Sequence, residues 1–254
     1  MGRVIAIANQ KGGVAKTTTA VNLGACLALM GHKTLVIDAD PQGNASSGMG
    51  VSPKSAAQSL YDVLVNGVSL KAVRVPCPSV PGLDLVPASL ALAGAEVELA
   101  GVVGREKILR ESLAGLRKEY AFVLIDCPPS LGVLTVNALA AADTVLIPIQ
   151  CEYYALEGLG HLLNTIQLVK RRLNAGLEIE GVLLTMFDGR TNLAIQVVDE
   201  VKKHFRRKVY RTIIPRNVRL SEAPSHGKPV VVYDPKCRGA EVYFELAKEV
   251  AASG

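Results

Sequence analysis

An apolar run, Val4-Ile5-Ala6-Ile7-Ala8, leads straight into Asn9-Gln10-Lys11-Gly12-Gly13-Val14-Ala15-Lys16-Thr17-Thr18, and an apolar stretch of helical spacing follows from Ala20 to Met30. No other feature of the chain limits its fold so strongly. A strand, a glycine-rich turn and a helix in immediate succession form the setting in which a phosphate-binding loop works. Glycines let the backbone curl until successive N–H groups point at one anion. The positive end of the following helix adds its field, about 0.3–1 kcal/mol per favourable charge. In this setting Lys16 reaches the β- and γ-phosphates of a nucleotide and the Thr17 hydroxyl ligates Mg²⁺. The pattern G-x-x-x-x-G-K-[ST] itself fails, because Gln10 and Ala15 stand at its two glycine positions. The chain fits K-G-G-x-x-K-[ST] instead, with a second lysine, Lys11, at the front. A glycine turn bearing two solvated lysines is the alternative, and the flanking strand and helix argue against it.

The remaining pattern supplies the second half of such a site. The first helix is expected over about Thr17 to Met30, stopped by Gly31. A buried strand, Thr34 to Ile37, then runs into Asp38-Ala39-Asp40-Pro41-Gln42-Gly43-Asn44. Another, Ala121 to Ile125, ends in Asp126-Cys127-Pro128-Pro129-Ser130. Ligands of open α/β sheets sit at the carboxyl ends of strands, where these aspartates fall. An aspartate closing an apolar strand holds Mg²⁺, usually through water, when a phosphate loop accompanies it. Further strands are expected at Leu83–Pro87, Thr144–Ile149, Gly181–Thr185 and Val209–Ile214. Helices are expected near 59–65, 106–118, 158–173, 193–204 and 240–252. The Gly/Ser-rich stretch from Ala45 to Pro53 reads as a mobile loop. No repeat or low-complexity linker interrupts the pattern. The expectation is α/β: one domain over residues 1–254, a single doubly wound, mostly parallel sheet with helices on both faces.

Composition narrows the setting. Of 254 residues 49% are hydrophobic and 20% charged, which marks a globular chain. Aromatics are few and tryptophan is absent, so an aliphatic core is expected, as parallel strands covered by helices require. The net charge of +5 permits an anionic partner without demanding one. Five cysteines without framework spacing read as reduced thiols of a cytosolic protein. No apolar run approaches the ~18 residues of a membrane span, and no leader precedes Val4, so a cytoplasmic location is expected. His161, His204 and His226 lack ligand spacing, and no metal beyond Mg²⁺ is expected. Lys202, Lys203, Arg206, Arg207 and Lys208 read as a solvated face.

Across nearly its whole length the chain resembles the ParA/Soj family of DNA-segregation ATPases, in the deviant-Walker MinD/ParA class of P-loop NTPases. Asn9 to Thr19, Asp38 to Asn44 and Asp126 to Ser130 mark the class. Glu152 to Gly158, Pro215-Arg216-Asn217-Val218-Arg219 and Glu222-Ala223-Pro224-Ser225 point to ParA/Soj within it. The resemblance implies ATP and Mg²⁺ as cofactors and an ATP-dependent sandwich homodimer in which Lys11 crosses to the partner's phosphates. Gly12, Gly13, Val14, Ala15, Lys16, Thr17 and Thr18 then wrap the phosphates, and Thr17 with a water held by Asp126 completes the Mg²⁺ shell. Asp40 matches the carboxylate that positions the attacking water, which makes Lys11, Lys16 and Asp40 the catalytic set. Pro215 and Asn217 match adenine-contacting positions. Arg190 and Arg219 match positions for non-specific contact with double-stranded DNA, and Lys228 is expected beside them on that surface. A ParB-type centromere-binding partner and nucleoid association are implied as well. For Asp38 a structural hydrogen bond and a Mg²⁺ contact both stay open, as does a further role in replication initiation.

Family members commonly carry glycine where this chain has Ala15. Should that position require positive φ, the methyl costs on the order of 1–2 kcal/mol. The nucleotide loop begins near residue 10, leaving no room for an N-terminal helix-turn-helix, as in the short chromosomal branch. Two other classes compete. A MinD-type membrane-cycling ATPase carries a basic amphipathic C-terminal helix, whereas this chain ends poor in basic residues. An iron–sulfur ATPase component needs bridging or C-x-x-C cysteines, and Cys127 has no partner of suitable spacing.

Overall fold

The computed structural model describes residues 2–52, 57–152 and 159–253. Eight strands form one sheet: β1 (Arg3–Ile7), β2 (Thr34–Asp38), β3 (Val75–Pro76), β4 (Leu83–Val86), β5 (Phe122–Asp126), β6 (Thr144–Gln150), β7 (Glu178–Phe187) and β8 (Val209–Pro215). Their spatial order is β3-β4-β2-β5-β1-β6-β7-β8. Every pairing is parallel except that of β3 with β4. The apolar runs that announced these strands are buried on both faces. Val4 and Ala6 join the core on one side of β1, Ile5 and Ile7 the core on the other. Alternate residues of a strand point to opposite faces, so continuous hydrophobicity requires helices above and below.

The first helix, α1 (Lys16–Leu29), packs against the long C-terminal helix Arg238–Ala252, where the hydroxyls of Thr19 and Tyr243 lie 3.2 Å apart. The helices Val133–Ala141, Leu159–Arg172 and Asn192–Phe205 complete the long elements. From β1 the chain crosses to β2 on one side of the sheet, and β6, β7 and β8 are laid down on the other. The crevice above β1 is therefore the topological switch point at which open α/β sheets hold ligands.

Both edges of the sheet are closed. β3 contributes two residues, one of them Pro76, which has no N–H. On β8 the backbone N–H groups of Arg211 and Thr212 donate to Glu249 of the C-terminal helix, at 2.8 and 3.1 Å.

Two expectations need correction. The Ala45–Pro53 stretch is not simply a loop: it opens with the helix α2 (Asn44–Gly48), whose Ala45, Ser46 and Gly48 are buried. Buried partners overrode the low helix propensity of Gly and Ser. The helix expected over Glu106–Lys118 is three pieces, with Ile108–Ala114 flanked by 3₁₀ turns at Arg105–Lys107 and Arg117–Glu119. The helices Leu70–Val73, Leu92–Glu98, Val133–Ala141, Val218–Glu222 and Val230–Tyr233 have no counterpart in the sequence reading. Of the family-marking block Glu152–Gly158, residues 153–158 lie outside the described residues.

Candidate nucleotide site

The loop between β1 and α1 takes its shape from two left-handed residues, Gly13 at φ 74° and Ala15 at φ 68°. The condition attached to Ala15 is met: its methyl sits in the conformation that favours glycine. Buried Asn9 anchors the loop, donating to Pro148 O at 2.7 Å and accepting from the Lys11 N–H at 3.0 Å. Gly12 and Gly13 are exposed, with open space where a Cβ would stand. Lys16 is buried, its Nζ donating to Lys11 O at 3.0 Å. Burial lowers the Lys16 pKa, opposed by the nearby carboxylates Asp126 and Asp40.

Parallel register places the aspartates. Asp126 is paired with Ile7 on one side and with Asp38 on the other, so three strand ends meet in one row. Asp126 is fully buried and neither carboxylate oxygen has a hydrogen-bond partner. Burial and then the neighbouring Asp38 push its pKa well up, against smaller opposing effects of the Thr17 hydroxyl and Lys16. Burial also raises Asp38, although that carboxylate accepts from Ser46 N at 2.8 Å, Ser46 Oγ at 2.7 Å and Asp40 N at 3.2 Å. The structural hydrogen bond considered for Asp38 is formed, to Ser46 and to the Asp40 N–H. Asp40 is nearly buried and accepts from Gln42 N at 3.0 Å. Three carboxylates with one buried lysine leave the crevice short of positive charge, which fits Mg²⁺. Among the described residues no group of three or more histidine, cysteine or carboxylate side chains is placed to hold a metal alone. A small octahedral cation that keeps waters and phosphate oxygens needs only one or two protein ligands.

Two cavities adjoin. One, of about 370 Å³, is lined by Gly12, Gly13, Lys16, Thr17, Asp40 and Pro129. The other, of about 120 Å³, is lined by Ile214, Pro215, Arg216, Asn217, Leu220 and Tyr243. Ala15, Thr18 and Met186 line both, so Pro215 and Asn217 open onto the same crevice as the loop. Asn217 Oδ1 caps the helix Val218–Glu222 by accepting from Arg219 N at 2.9 Å, which leaves its amide NH₂ as donor. Met186, at φ 52°, was missed by sequence reasoning. Its one signal was position: it stands at the carboxyl end of an apolar strand. Glu152 was unassigned too, and it faces both Lys11 at 3.9 Å and Arg216 at 3.6 Å.

The basic residues are not gathered in this way. Arg190 is exposed and paired with Asp188 at 2.6 Å; Arg219 is paired with Glu222 at 2.7 Å and Asp234 at 3.2 Å. Lys228 is exposed at the end of the Ala223–His226 turn. Among the described residues no hydrogen bond or ion pair joins these three to one another.

Residues 2–179 match a family model described as an AAA domain. The sporulation initiation inhibitor protein Soj of Bacillus subtilis is 60% identical over 254 residues, covering 100% of both chains. The chromosome partitioning protein ParA of Myxococcus xanthus is 54% identical, over 98% of this chain and 88% of that one. The chain is a ParA/Soj-family ATPase. Among solved structures, the cobyrinic acid a,c-diamide synthase of Mycobacterium smegmatis with bound ADP and magnesium superposes with a TM-score of 0.87 at 39% identity, covering 99% of this chain and 94% of that one. The competing classes fare poorly on geometry. The apolar face of the C-terminal helix, with Tyr243, Leu246 and Val250, is buried in the core rather than offered to a bilayer. Among the described residues no helix is long and apolar enough to cross a membrane. Cys127 is buried, and burial with the adjacent Asp126 charge holds its thiol protonated.

Proposed function

We propose that this protein is a DNA-segregation ATPase that hydrolyses ATP with Mg²⁺ and works as an ATP-dependent sandwich dimer on chromosomes or plasmids. The observation that carries the reading is Asp126, a fully buried carboxylate with neither oxygen hydrogen-bonded, lying next to Thr17, Lys16 and Asp40, which line the crevice together with the left-handed loop. Gly12 to Thr18 hold the phosphates with their N–H groups, and Lys16 exchanges the Lys11 carbonyl for phosphate oxygen. Thr17 and, through water, Asp126 hold the cation, which offsets charge on the transferring phosphoryl group. Asp40 orients the attacking water. Met186, Pro215 and the Asn217 amide enclose the base.

Lys11 Nζ rests 3.9 Å from Glu152 Oε2. Its destination is the partner copy's nucleotide. The dimer doubles Arg190, Arg219 and Lys228 on one surface that takes duplex DNA without sequence preference, and a ParB-type protein accelerates hydrolysis. A cytoplasmic, nucleoid-bound protein folded as one domain is the corresponding picture. The partitioning relatives match at 54–60% identity, above the 39% of the synthase, and support this assignment. The test is light scattering and ATP hydrolysis with and without duplex DNA. ATP, but not ADP, should produce a dimer that binds DNA, and Lys11→Ala should keep ATP binding while losing the dimer. A Lys11→Ala dimer equal to the parent's refutes the crossing lysine.

A further inference from the structure

Asp40 does not stand alone on its loop. Its backbone N–H donates to Asp38 Oδ1, and Asp38 Oδ2 accepts from both the N–H and the hydroxyl of Ser46 on α2. The Ser46 hydroxyl in turn accepts from Ala88 N at 3.1 Å, just past the end of β4. Asp38 and Ser46 are wholly buried, so water cannot substitute for a lost bond. The water-positioning carboxylate and α2 thus hang from one side chain, and a shift of α2 is a shift of Asp40.

The other end of α2 meets the segment that carries the basic residues. Gly50, at φ 81°, and Gly227, at φ 61°, pack backbone to backbone. A Cβ on Gly50 would stand 2.9 Å from Gly227 O, and one on Gly227 would stand 3.0 Å from Gly50 Cα. Gly227 is tied to Pro224 O and adjoins Lys228, and the turn follows directly on the helix bearing Arg219. Beside α2 lies a cavity of about 450 Å³, bounded by Thr17 and Val21 of α1, Asn44 and Ser47 of α2, and Pro224 and Lys228. Packed interiors transmit displacement, and here α2 also has open space beside it.

We propose that α2 is a relay from the DNA surface to the hydrolytic carboxylate. A polyanion held at Arg219 and Lys228 moves the Ala223–Lys228 turn, the Gly50–Gly227 contact passes the movement to α2, and Ser46 and Asp38 deliver it to Asp40. Ser46 is thereby a positioning residue for hydrolysis. The inference rests on the reading above, in which Asp40 orients water and Arg219 and Lys228 face DNA.

Steady-state ATP hydrolysis with and without sonicated duplex DNA tests it, with DNA binding, Mg-ATP affinity and thermal melting measured on each variant. The parent's rate should change at least about 5-fold on adding DNA. In Gly227→Ala and, from the other side of the contact, Gly50→Ala, DNA affinity should stay within about 2-fold while the basal rate shifts with the displaced α2 and the further response to DNA disappears. Gly31→Ala has the same left-handed strain, at φ 88° with open space around it, and should keep the full response. Ser46→Ala should lower kcat about 10-fold with Mg-ATP affinity nearly unchanged, and Ser46→Thr, which keeps the hydroxyl, should recover part of it. A parent that binds DNA without changing its rate, or glycine variants that keep the response, overturns the relay. Equal loss of affinity and rate in Ser46→Ala overturns the positioning role. A parent that binds no DNA with ATP removes the surface assignment and the relay's input together, and the Ser46 measurements still decide the inner half.

Discussion

The crevice above β1 and the basic surface are built on different principles. In the crevice, side chains from three strand ends are driven together, buried and left in electrostatic debt: Asp126 has no partner and Asp38 is its neighbour. On the basic surface each arginine is already paired with carboxylates of its own chain, Arg190 with Asp188 and Arg219 with Glu222 and Asp234. The first arrangement is unfavourable until a cation and phosphates arrive. The second is at rest, and on the proposed reading a polyanion would have to displace internal partners to engage it. The former arrangement favours tight, specific binding, and the latter would give weak, salt-sensitive, reversible binding.

The contrast breaks most readily at Asp40. Asp40→Ala should cut the rate of hydrolysis about 100-fold or more while ATP affinity changes little, so that the ATP-bound dimer accumulates in light scattering. Parental turnover in that variant would mean that the crevice, for all its burial, gathers these groups for another purpose.

The basic surface gives intermediate effects. Removing Arg219 should flatten the slope of log K against log[salt] by about two per dimer. Its converse separates masking from simple charge: Asp188→Asn should strengthen DNA binding roughly 2–5-fold at low salt. The Arg190 hydrogen bonds hold Asp188 down to about 2, so acid does not unmask the arginine near neutrality, and only substitution does. DNA affinity lowered by Asp188→Asn, in a titration by fluorescence anisotropy, would show that the pair serves to orient Arg190 rather than to occupy it.

A smaller effect sharpens the account of the crevice. The folded-state pKa of Asp126 is raised, so folding takes up protons and stability falls as pH rises through that value. Asp126→Asn should then melt about 2–8 °C above the nucleotide-free parent near pH 8, with the gain fading toward about pH 4, where the parent's carboxyl is protonated. The same variant should lose the stabilisation that Mg-ADP gives the parent. A melting temperature below the parent's at alkaline pH would show that the carboxylate is satisfied after all.

The strands and the loop were legible because each is a local signal: apolar runs of strand length, glycines at a turn, aspartates at strand ends. Legibility failed where tertiary partners decide. Asn44–Gly48 reads as loop because Gly and Ser are poor helix formers, and what holds it is tertiary: buried Ala45 and Gly48, and Ser46 donating twice to Asp38, eight residues earlier. Met186 carries no motif, and its place beside Pro215 follows only from the pairing of β7 with β8. The family resemblance supplied Pro215 and Asn217, which residues alone would assign to a turn. It could not show that Arg190 and Arg219 already have partners, since pairing is a property of folded neighbours.

The closed edges of the sheet constrain how copies of this chain can meet. Sheets that grow between molecules do so by offering unpaired N–H and C=O groups to a neighbouring strand. Here one border is two residues long and contains a proline, and Glu249 occupies two N–H groups of the other. Strand-to-strand continuation across molecules is therefore blocked at both ends. The proposed sandwich dimer needs neither edge: it would meet through the rim of loops at the carboxyl ends of the strands, where Lys11 stands. An assembly of that kind could be governed by ligand, as a fibre built on strand edges could not.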